Sequence, residues 1–443
     1  MFENKKIFIL GMARSGYEAA KLLAKHNNTI LITDRKEQKD EHVNELKELG
    51  VDIHICDDPI NLLDETFDYV IKNPGIKLDH PIVVKANDLG ITVTNEVEVA
   101  YSFLPDTVKI IGITGSNGKT TTTTLIYEIL KTAGKDVYLG GNIGYPVCSL
   151  VDVVNDDSIL VLEISGHQLH DTINFKTNVS VMTNLSEVHI DHFGTYENYK
   201  LNKCKIFKYH TPSDVAILNL ENEDVMSGTN DINSRKIYFS SKKKSDLYIE
   251  NNSIYYNNEE VIKLDNIRLK GVHNYENIMC AIGAVKEFNV SNEDINKLLS
   301  TFTGVEHRIE YVNKINGREF YNDSKATNVK STQIALSAFS NPTILLLGGL
   351  DRGHLFDDLT DYLKNTKLIV CFGETKNRIK EFANNINIDC IVVDTLKEAV
   401  GEAYSNSNEG DTILLSPACA SWDQYDNFED RGNEFKSAVN NLG

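Results

Sequence analysis

Short apolar runs alternate with amphipathic stretches from the first residues of the chain onwards. KKIFIL ends in the turn GMARSG, and TILITD follows as a second apolar run that ends at Asp34. YVIKNPG and ITVTN continue the series before residue 99. The apolar runs have the length of buried strands, and the stretches between them have helical periodicity. The pattern therefore predicts an α/β fold with a parallel-rich sheet and helical crossovers.

The same alternation starts again near Ala100 and a third time near Gly304. VKIIGIT and SILVLEIS are apolar runs of the second block, whereas TILLLGGLDRG, KLIVCFGE and TILLSPACAS belong to the third. A chain of 443 residues has the length of about three domains of ordinary size. We predict three Rossmann-like domains at residues 1–99, 100–303 and 304–443.

The second block contains a glycine-rich turn between a predicted strand and a predicted helix. Its sequence is ITGSNGKTTTT, whereas the usual phosphate loop, Gly-x4-Gly-Lys-Ser/Thr, would place glycine at Ile113. A strand, a glycine turn and a helix bring backbone N–H groups and the helix dipole onto one anion. We predict a variant P-loop in a central ATPase domain, with Lys119 on the terminal phosphates and Thr120 on Mg²⁺. A structural glycine turn with a chance lysine is the alternative.

The turn GMARSG in the first block has the form Gly-x-Ala-x-x-Gly, close to the dinucleotide fingerprint. Asp34 lies about where an acid that binds ribose would lie. The turn predicts a nucleotide or diphosphate at the N-terminus of the first helix, with a tight strand-to-helix turn as the alternative. A nicotinamide-dependent oxidoreductase would explain this block but not the other two.

Two further features of the second block suggest a metal site. Glu163 lies near the C-terminal end of SILVLEIS, where a metal-binding carboxylate belongs in a phosphate-loop enzyme, although many strands simply end in an acid. A polar loop further on contains the possible ligands Glu187, His189, Asp191 and His192.

Lys203 is a cation on an otherwise apolar helical stripe. From about Tyr196, helical periodicity places Tyr196, Tyr199, Ile206 and Phe207 on the same face as Lys203. Burial lowers the pKa of a lysine, and a neutral amine can add CO₂ to give a carbamate, which is a two-oxygen metal ligand. A lysine that extends its ammonium group to solvent is the alternative.

Polar residues also mark two later parts of the chain. Asn274 and Asn277 share a face of the helix predicted at 271–288, where they either cap or bridge or else contact an adenine or a phosphate. In open α/β sheets ligands bind beyond the C-terminal ends of strands. In the third block the polar residues at such ends are Asp323, Ser324, Lys325, Thr327, Arg352 and Ser421, although ordinary loop chemistry explains each one taken singly.

Composition narrows the class of partner and the compartment. The net charge of −19 argues against a nucleic-acid or anionic-membrane surface, since both need a basic face. Seven cysteines without a Cys-x-x-Cys pair fit a reducing compartment better than a disulfide framework or a zinc site. No apolar run approaches the about 20 residues of a membrane span. We therefore expect a cytoplasmic protein.

Five motifs in order resemble those of the Mur ligases of peptidoglycan synthesis, over nearly the whole chain. They are GSNGKT at 115–120, GNIG at 141–144, GVEHR at 304–308, NDSKATN at 322–328 and SPACASWDQY at 416–425. The last two and the short first domain are most similar to those of the D-glutamate-adding members. The resemblance implies a monomeric ATP-dependent ligase that adds D-glutamate to UDP-N-acetylmuramoyl-L-alanine through an acyl phosphate. It also implies two Mg²⁺ ions and a carbamate on Lys203.

The resemblance further implies roles for individual residues. The implied catalytic residues are Lys119, His189 and Lys203, and the implied metal ligands are Thr120, Glu163, His189 and Lys203. The implied ATP contacts are Gly115, Ser116, Asn117, Gly118, Lys119, Thr120, Thr121, Asn274, Asn277, Arg308 and Asp323. The implied UDP-substrate contacts are Arg14, Ser15, Asp34, Arg35, Asn73, Gly75, Asn142, Ser165 and Gln168. D-glutamate would be held by Thr327, Arg352, Ser421 and Phe428.

Three positions depart from the family pattern. The chain has ISGHQL after Glu163, where the family usually has a Ser-Ser-Phe-Gln-like run, and Asp34 is followed by Arg35 rather than by a hydroxyl residue. Arg352 stands where many relatives have lysine; a guanidinium can clamp a carboxylate bidentately, so the implied role is kept with a changed geometry.

Two rival functions remain open at this stage. Folylpolyglutamate synthases and the alanine- or diamino-acid-adding Mur enzymes would share the ATP loop but need a different amino-acid pocket. A non-catalytic nucleotide-binding protein would keep the fold, and the joint presence of Lys119, Glu163, His189 and Lys203 argues against it.

Overall fold

A computed structural model describes residues 1–187 and 193–442. The chain divides into two compact units, Met1–Phe302 and Thr303–Gly443. Two sheets lie in the first unit and one in the second, and parallel pairing predominates in all three. The predicted α/β class is therefore confirmed. The boundary predicted between residues 99 and 100 falls inside a helix of the first unit, and the division into three domains stays a prediction.

The first sheet has five parallel strands in the order β3-β2-β1-β4-β5. The strands are β1 Lys6–Leu10, β2 Thr29–Asp34, β3 Asp52–Ile55, β4 Tyr69–Lys72 and β5 Thr92–Thr94. The helices of this part are α1 Arg14–Ala24, α2 Asp40–Glu48, α3 Pro81–Asp88 and α4 Glu96–Tyr101. The first predicted strands and the helix after GMARSG are thus confirmed.

The second sheet has nine strands in the order β14-β13-β12-β11-β10-β9-β6-β8-β7. It is parallel except for its last hairpins, in which β13 runs antiparallel to both neighbours. The strands are β6 Lys109–Thr114, β7 Val137–Gly141, β8 Ile159–Glu163, β9 Val179–Met182, β10 Val215–Asn219, β11 Arg235–Ser240, β12 Leu247–Glu250, β13 Ser253–Tyr256 and β14 Glu259–Lys263. The helices are α5 Lys119–Thr132, α6 Gly166–His170, α7 Tyr196–Cys204, α8 Glu223–Gly228, α9 Val272–Lys286 and α10 Asn292–Leu299.

The second unit has one six-stranded sheet in the order β15-β16-β20-β17-β18-β19, with only β15 antiparallel to its neighbour. The strands are β15 Glu310–Ile315, β16 Arg318–Asn322, β17 Thr343–Gly348, β18 Thr366–Phe372, β19 Asp389–Val392 and β20 Thr412–Leu415. The helices are α11 Val329–Ser337, α12 Lys376–Asn385, α13 Leu396–Ser405 and α14 Phe428–Asn440. Short 3₁₀ helices lie at Ile60–Leu62, Val147–Leu150, Lys205–Phe207, Leu264–Asn266 and Asp357–Tyr362.

The central strands are apolar along their whole length because both faces of their sheets are covered. All five residues of β8 and all six of β17 are buried, as expected for parallel strands between two helical layers. In the second sheet one core lies under α5 and α9, and another lies on the opposite face with Tyr199 and Phe207. In the described parts of the chain no helix has both the length and the apolar character needed to cross a membrane.

Buried polar contacts join the first sheet to the second within the first unit. Lys72 at the end of β4 forms an ion pair with Asp171, which follows α6, at 2.6 Å. The carboxylate of Glu98 on α4 accepts hydrogen bonds from three consecutive backbone N–H groups at residues 173–175. These contacts fix the KNPG turn relative to the segment that follows β8.

Candidate active site

The loop at residues 115–118 connects β6 to α5, as the sequence predicted. Gly115 and Gly118 have φ angles of 141° and 82°, which favour glycine. A Cβ atom on Gly115 would lie 2.1 Å from the Thr183 hydroxyl, and one on Gly118 would lie 2.2 Å from the Asn277 side-chain oxygen. Ile113 lies inside β6 and is buried, so the loop begins later than in the usual motif. This accounts for the displaced glycine.

Lys119 is the first residue of α5 and folds back over the loop. Its ammonium group donates hydrogen bonds to the carbonyls of Gly115 and Ser116, both at 2.9 Å. Gly118, the residue before the helix, provides no side-chain cap, so the N–H groups of the first turn stay available to an anion. The loop thus has the charge and the backbone donors that a phosphate requires.

A buried carboxylate lies beside the start of α5. Thr120 donates its hydroxyl hydrogen to one oxygen of Glu163 at 2.8 Å, and the Asn142 amide donates to the other oxygen at 2.7 Å. Glu163 is at the end of β8, which pairs directly with β6. Hydroxyl and carboxylate oxygens are the donors that Mg²⁺ prefers, so Thr120 and Glu163 fit the metal role that the resemblance implies.

Lys203 is buried on α7, with 2% of its surface exposed. Its amine donates hydrogen bonds to the Thr114 hydroxyl at 3.2 Å and to the Gly115 carbonyl at 2.9 Å. Burial, reinforced by the charge of Lys119 and opposed by Glu163, lowers the pKa of Lys203 well below its ordinary value. The periodicity that placed Lys203 on a buried face is confirmed, and the alternative of an ammonium group extended to solvent is wrong.

The polar loop at residues 187–192 was predicted to provide the other metal ligands. His189 lies outside the described residues, together with Asp191 and His192. Glu187 is exposed. Within residues 1–187 and 193–442 no three His, Cys, Asp or Glu side chains converge on a point that could hold a metal ion.

Two segments hold the phosphate-type loop in place. After β9, the Asn184 carbonyl accepts from the Ser116 N–H at 2.8 Å, and its side chain accepts from the Asn117 N–H at 2.9 Å. On α7 the Tyr199 hydroxyl lies 2.9 Å from the Ser116 hydroxyl. Sequence analysis did not identify Asn184, because a lone asparagine after a strand is typical of many loops.

The predicted asparagines of α9 have different surroundings. Asn277 is buried, and its side-chain oxygen accepts a hydrogen bond of 3.4 Å from Thr122 of α5. Asn274 donates to the carbonyl of Lys270 on its own chain segment. Thr121 is half-buried on the first turn of α5. Asn277 therefore bridges α5 and α9 beside the loop. The nucleotide-binding roles of Asn274, Asn277 and Thr121 stay predictions.

The turn GMARSG leads into α1, where the sequence predicts a second anion site. The carboxylate of Asp34 accepts from the Met12 N–H at 2.7 Å, and a Cβ atom on Gly11 would lie 2.5 Å from the Asn73 amide. Helix α1 begins at Arg14 after Ala13, which has no capping side chain. The N–H groups of its first turn can therefore receive an anion.

The other predicted substrate residues lie around these two sites. Arg14 donates to the Gly144 carbonyl in the GNIG motif at 3.0 Å. Arg35 lines a cavity of about 220 Å³. Ser165 and Gln168 form a capping box at the start of α6, so their side chains satisfy each other. Ser15 is half-buried and Gly75 is exposed.

The predicted residues of the second unit follow the ends of its strands. Asp323 is buried, which raises the pKa of its carboxyl to about 7, and it accepts a hydrogen bond from Ser416 at 2.7 Å. Ser421 is buried, whereas Arg308 and Arg352 are exposed. Thr327 and Phe428 are half-buried, Phe428 as the first residue of α14.

Sequence analysis missed Arg431, which is the largest fully buried side chain of the described residues. Its guanidinium donates to the Ser324 hydroxyl and carbonyl and to the Cys419 carbonyl, at 2.8–3.0 Å. It thereby holds the NDSKATN and SPACASW segments together. Helical periodicity could have identified it, because Arg431 lies on the buried face of α14 with Phe435 and Val439. Lys203 was identified on α7 by the same kind of pattern.

Comparisons with known proteins agree across the whole chain. Family models match residues 5–95 (Mur ligase MurD-like, N-terminal domain), 113–285 (Mur ligase middle domain) and 307–419 (Mur ligase, glutamate ligase domain). Relatives from Bacillus mycoides (strain KBAB4) and Bacillus cereus (strain AH820) are 44% identical over 100% of this chain and 98% of their own length. Both are named UDP-N-acetylmuramoylalanine–D-glutamate ligase.

Solved structures share the fold at low sequence identity. MurC, a UDP-N-acetylmuramate–alanine ligase from Thermotoga maritima, matches with a TM-score of 0.61 and 18% identity, over 99% of this chain and 100% of that one. A MurF ligase from the same organism, solved in complex with ADP, matches with a TM-score of 0.54 and 15% identity, over 100% of this chain and 96% of that one.

Proposed function

Because the chain belongs to the Mur ligase family, we propose that it is the ATP-dependent ligase that joins D-glutamate to UDP-N-acetylmuramoyl-L-alanine. It forms an amide bond and releases ADP and phosphate, in the cytoplasmic synthesis of peptidoglycan precursors. The observation that carries this proposal is the arrangement of Lys119, Thr120 and Glu163 around one glycine loop, in a chain with full-length relatives of that name.

The first chemical problem is the poor leaving group of a carboxylate. An amine cannot displace oxide, so the γ-phosphoryl group of ATP is first transferred to the carboxylate of the UDP substrate. The acyl phosphate then has phosphate as its leaving group. The N–H groups of the first turn of α5 and the Lys119 ammonium offset the repulsion between the two anions that must meet.

The residues around the loop also suit the metal that the resemblance implies. Thr120 and Glu163 would hold Mg²⁺, and His189 and carbamylated Lys203 would hold a second ion. Bound Mg²⁺ supplies charge neutralisation on the phosphate oxygens. The remaining work of this chain's residues is to orient the phosphate chain and the carboxylate in the absence of competing water.

Lys203 is suited to carbamate formation because its amine is buried and its pKa is lowered. CO₂ adds to the lone pair of the neutral amine, and the nitrogen loses one proton to give an anionic carbamate. The group would lie beside Thr114 and Gly115, where the amine now makes its hydrogen bonds. A neutral amine at the edge of the loop would thus be replaced by an anion with two oxygen donors.

The second unit would hold the attacking amino acid. Thr327, Arg352, Ser421 and Phe428 provide hydroxyl, guanidinium and backbone groups that match the two carboxylates of D-glutamate. Its amine attacks the acyl carbon, phosphate leaves, and the amine loses a proton as the amide forms.

An amino-acid panel tests the proposed reaction directly. Purified protein receives ATP, Mg²⁺ and UDP-N-acetylmuramoyl-L-alanine, together with one of D-glutamate, L-glutamate, L-alanine or a diamino acid, and phosphate release is measured. We expect release with D-glutamate only. Release with another amino acid assigns the chain to a sibling enzyme, and a folate substrate tests folylpolyglutamate synthase. Absence of substrate-stimulated ATP hydrolysis would indicate a non-catalytic nucleotide-binding protein.

Lys119→Ala separates the two substrate sites. We expect this variant to lose acyl-phosphate formation, because the loop loses its cation, and to keep its affinity for the UDP substrate. Direct binding of the UDP substrate, followed by calorimetry, checks this. A variant that no longer binds the UDP substrate would contradict the assignment of the two ligands to different parts of the first unit.

Lys203→Ala tests the carbamate. We expect loss of most activity, with partial recovery on addition of short carboxylates that can occupy the vacated space. Mass spectrometry of the wild-type protein under CO₂ should show the carbamate once it is trapped by alkylation. Full activity of the alanine variant would disprove the carbamate.

A further inference from the structure

Trp422 is the only tryptophan of the chain, and 60% of its surface is exposed. It follows Ser421 in the SPACASWDQY motif. The guanidinium carbon of Arg352 lies 4.7 Å from the centre of a Trp422 ring. The Arg352 guanidinium therefore lies over the indole, in the range of a cation–π contact.

The backbone around Trp422 is anchored although its ring is exposed. The Leu350 N–H donates to the Ala420 carbonyl at 2.9 Å, which joins the loop that contains Arg352 to the segment that contains Trp422. On the other side of Trp422, the Asp423 carboxylate accepts from the Glu374 N–H at 3.0 Å. Hydrogen bonds on both sides of Trp422 therefore fix its backbone next to the loop that contains Arg352.

The contact with the indole leaves the N–H donors of Arg352 available. A guanidinium donates its hydrogen bonds in its own plane, and an aromatic ring attracts it without using those donors. The neighbouring carboxylate, Asp351, is paired with Arg378. Among the described residues Arg352 takes part in no ion pair. The planar fork is therefore oriented by an aromatic face and presented to an external anion.

We propose that Trp422 is a positioning residue for the amino-acid substrate, which orients the Arg352 guanidinium for bidentate contact with a carboxylate of D-glutamate. This inference rests on the proposed function, because it takes D-glutamate as the ligand of the second unit. Lysine has no planar fork that the indole could orient in this way. The pair Arg352 and Trp422 therefore acts as one unit, in which the indole orients the guanidinium that contacts the substrate.

Steady-state kinetics with four variants tests the coupling. We expect Trp422→Leu to raise the KM for D-glutamate about 2- to 5-fold, the range that loss of an exposed cation–π contact gives, with kcat and the KM for ATP unchanged. Trp422→Phe should restore the wild-type KM to within about 2-fold, because phenylalanine also offers an aromatic face. Arg352→Lys should raise the KM about 10-fold or more, since the bidentate hydrogen bonds to a charged group are lost.

The double variant distinguishes positioning from an independent contact. If Trp422 acts through Arg352, adding Trp422→Leu to Arg352→Lys should change the KM for D-glutamate by less than about 2-fold. If the increases in KM of the two single variants multiply in the double variant, the proposal is overturned. Tyr362→Leu is the matched control, because Tyr362 is another exposed aromatic residue of the second unit, and it should leave all kinetic constants unchanged.

Tryptophan fluorescence gives a readout that does not depend on turnover. With a non-hydrolysable ATP analogue and the UDP substrate present, D-glutamate should change the emission of the single tryptophan, and L-glutamate at the same concentration should not. The Arg352→Lys variant should require at least about 10-fold more D-glutamate for the same change. An emission that D-glutamate leaves unchanged at concentrations that saturate wild-type turnover would overturn the inference, as would an unchanged KM in Trp422→Leu. Failure of the wild type to use D-glutamate would instead overturn the proposed function.

Discussion

His210 is a buried imidazole whose two ring nitrogens face hydroxyl groups. Its Nε2 atom lies 2.9 Å from the Thr177 hydroxyl and 3.0 Å from the Ser180 hydroxyl, and its Nδ1 atom lies 2.8 Å from the Ser234 hydroxyl. Burial lowers its pKa from 6.5 to about 4. The His210 ring is therefore protonated at a lower pH in the folded protein than in the unfolded chain.

The sign of the resulting pH dependence follows from linkage. Between pH 6.5 and about 4 the unfolded chain binds more protons at His210 than the folded one. The contribution of neutral His210 to the free energy of unfolding is complete above pH 6.5. It declines by about 3 kcal/mol as the pH falls to about 4. His210→Gln should flatten this part of the pH profile in urea unfolding. His273→Gln, at an exposed position, is the control and should leave the profile unchanged, and equal slopes in wild type and His210→Gln would contradict the prediction.

Lys203 and Arg431 show what a single residue type on a helical stripe can and cannot indicate. Both are buried cations on apolar helix faces. Periodicity identified Lys203 because its stripe is short and follows a polar loop rich in possible ligands. The same test applies to Arg431, yet its hydrogen-bond partners come from two distant segments, and no local pattern indicates that those segments meet.

At the scale of elements, the loop before α5 depends on glycine for two separate reasons. At Gly118 a side chain would both strain the backbone and collide with Asn277. Gly134, which follows the same helix, also has a positive φ of 71° but has open space around it. A substitution at Gly134 therefore tests backbone strain alone, whereas a substitution at Gly118 tests strain together with a steric clash.

We expect Gly118→Ala to weaken ATP binding by at least about 10-fold, because the loop must shift away from Asn277 to admit the methyl group. Gly134→Ala should cost about 1–2 kcal/mol of stability from its backbone conformation and leave ATP affinity unchanged. Calorimetric titration with ATP and thermal unfolding measure the two effects. An unchanged ATP affinity in Gly118→Ala would show that the loop can adapt, contrary to the prediction.

The ion pair between Lys72 and Asp171 joins two elements that the sequence shows only separately. Both side chains are nearly inaccessible, and the Asp171 carboxylate also contacts the half-buried ring of His170 at 2.6 Å. Removal of Lys72 therefore takes away the one fully buried cation that faces Asp171. We expect Lys72→Met to destabilise the first unit by about 3–5 kcal/mol, and the double variant with Asp171→Leu to recover most of that loss. Chemical denaturation measures both.

An exposed pair of the same sheet supplies the control. Lys5 and Asp68 form an ion pair at 3.1 Å with both side chains more than a third exposed. Lys5→Met should change stability by less than about 1 kcal/mol. A comparable loss in Lys5→Met and Lys72→Met would mean that burial does not decide the cost.

The sequence indicated elements better than the contacts between them. Strand–turn–helix order follows from local periodicity and turn chemistry, so β6, the 115–118 loop and α5 were predicted within a residue or two. The partners of Lys72, Ser116 and Glu98 depend on how distant segments pack. No periodicity of a single chain contains that information, and the residues that support the candidate site were therefore missed.

At the scale of the whole molecule, each of the two units has the parts of an independent folding unit. The second unit buries both faces of its sheet in two apolar clusters. The first unit contains two sheets joined by Lys72, Asp171 and the Glu98 carboxylate. The residues proposed to hold the transferred phosphate lie in the first unit, and the residues proposed to bind D-glutamate lie in the second.

Separate expression of residues 1–302 and 303–443 tests this division. We expect both fragments to unfold cooperatively, because each keeps its own core. Fragment 1–302 keeps the 115–118 loop and Lys119 but lacks the predicted ATP contacts Arg308 and Asp323, so it should still bind ATP, but more weakly than the full chain. Neither fragment alone should form product, because the residues proposed for the UDP substrate and those proposed for D-glutamate lie in different fragments. Circular dichroism, ATP titration and the phosphate-release assay measure these outcomes.

A cut between residues 99 and 100 provides the contrasting case. It divides α4 and separates the Glu98 carboxylate and Lys72 from the residues 171–175 that they contact. Fragment 100–302 therefore loses Lys72 as a partner of Asp171 and loses the carboxylate that accepts from the 173–175 N–H groups. A hydrogen bond to a charged group typically contributes about 1.5–3 kcal/mol. We expect it to be less stable than fragment 1–302 and to expose apolar surface to a fluorescent dye. If 100–302 were as stable as 1–302, the polar contacts between the two sheets would have no energetic role, and the first 99 residues would form a domain of their own.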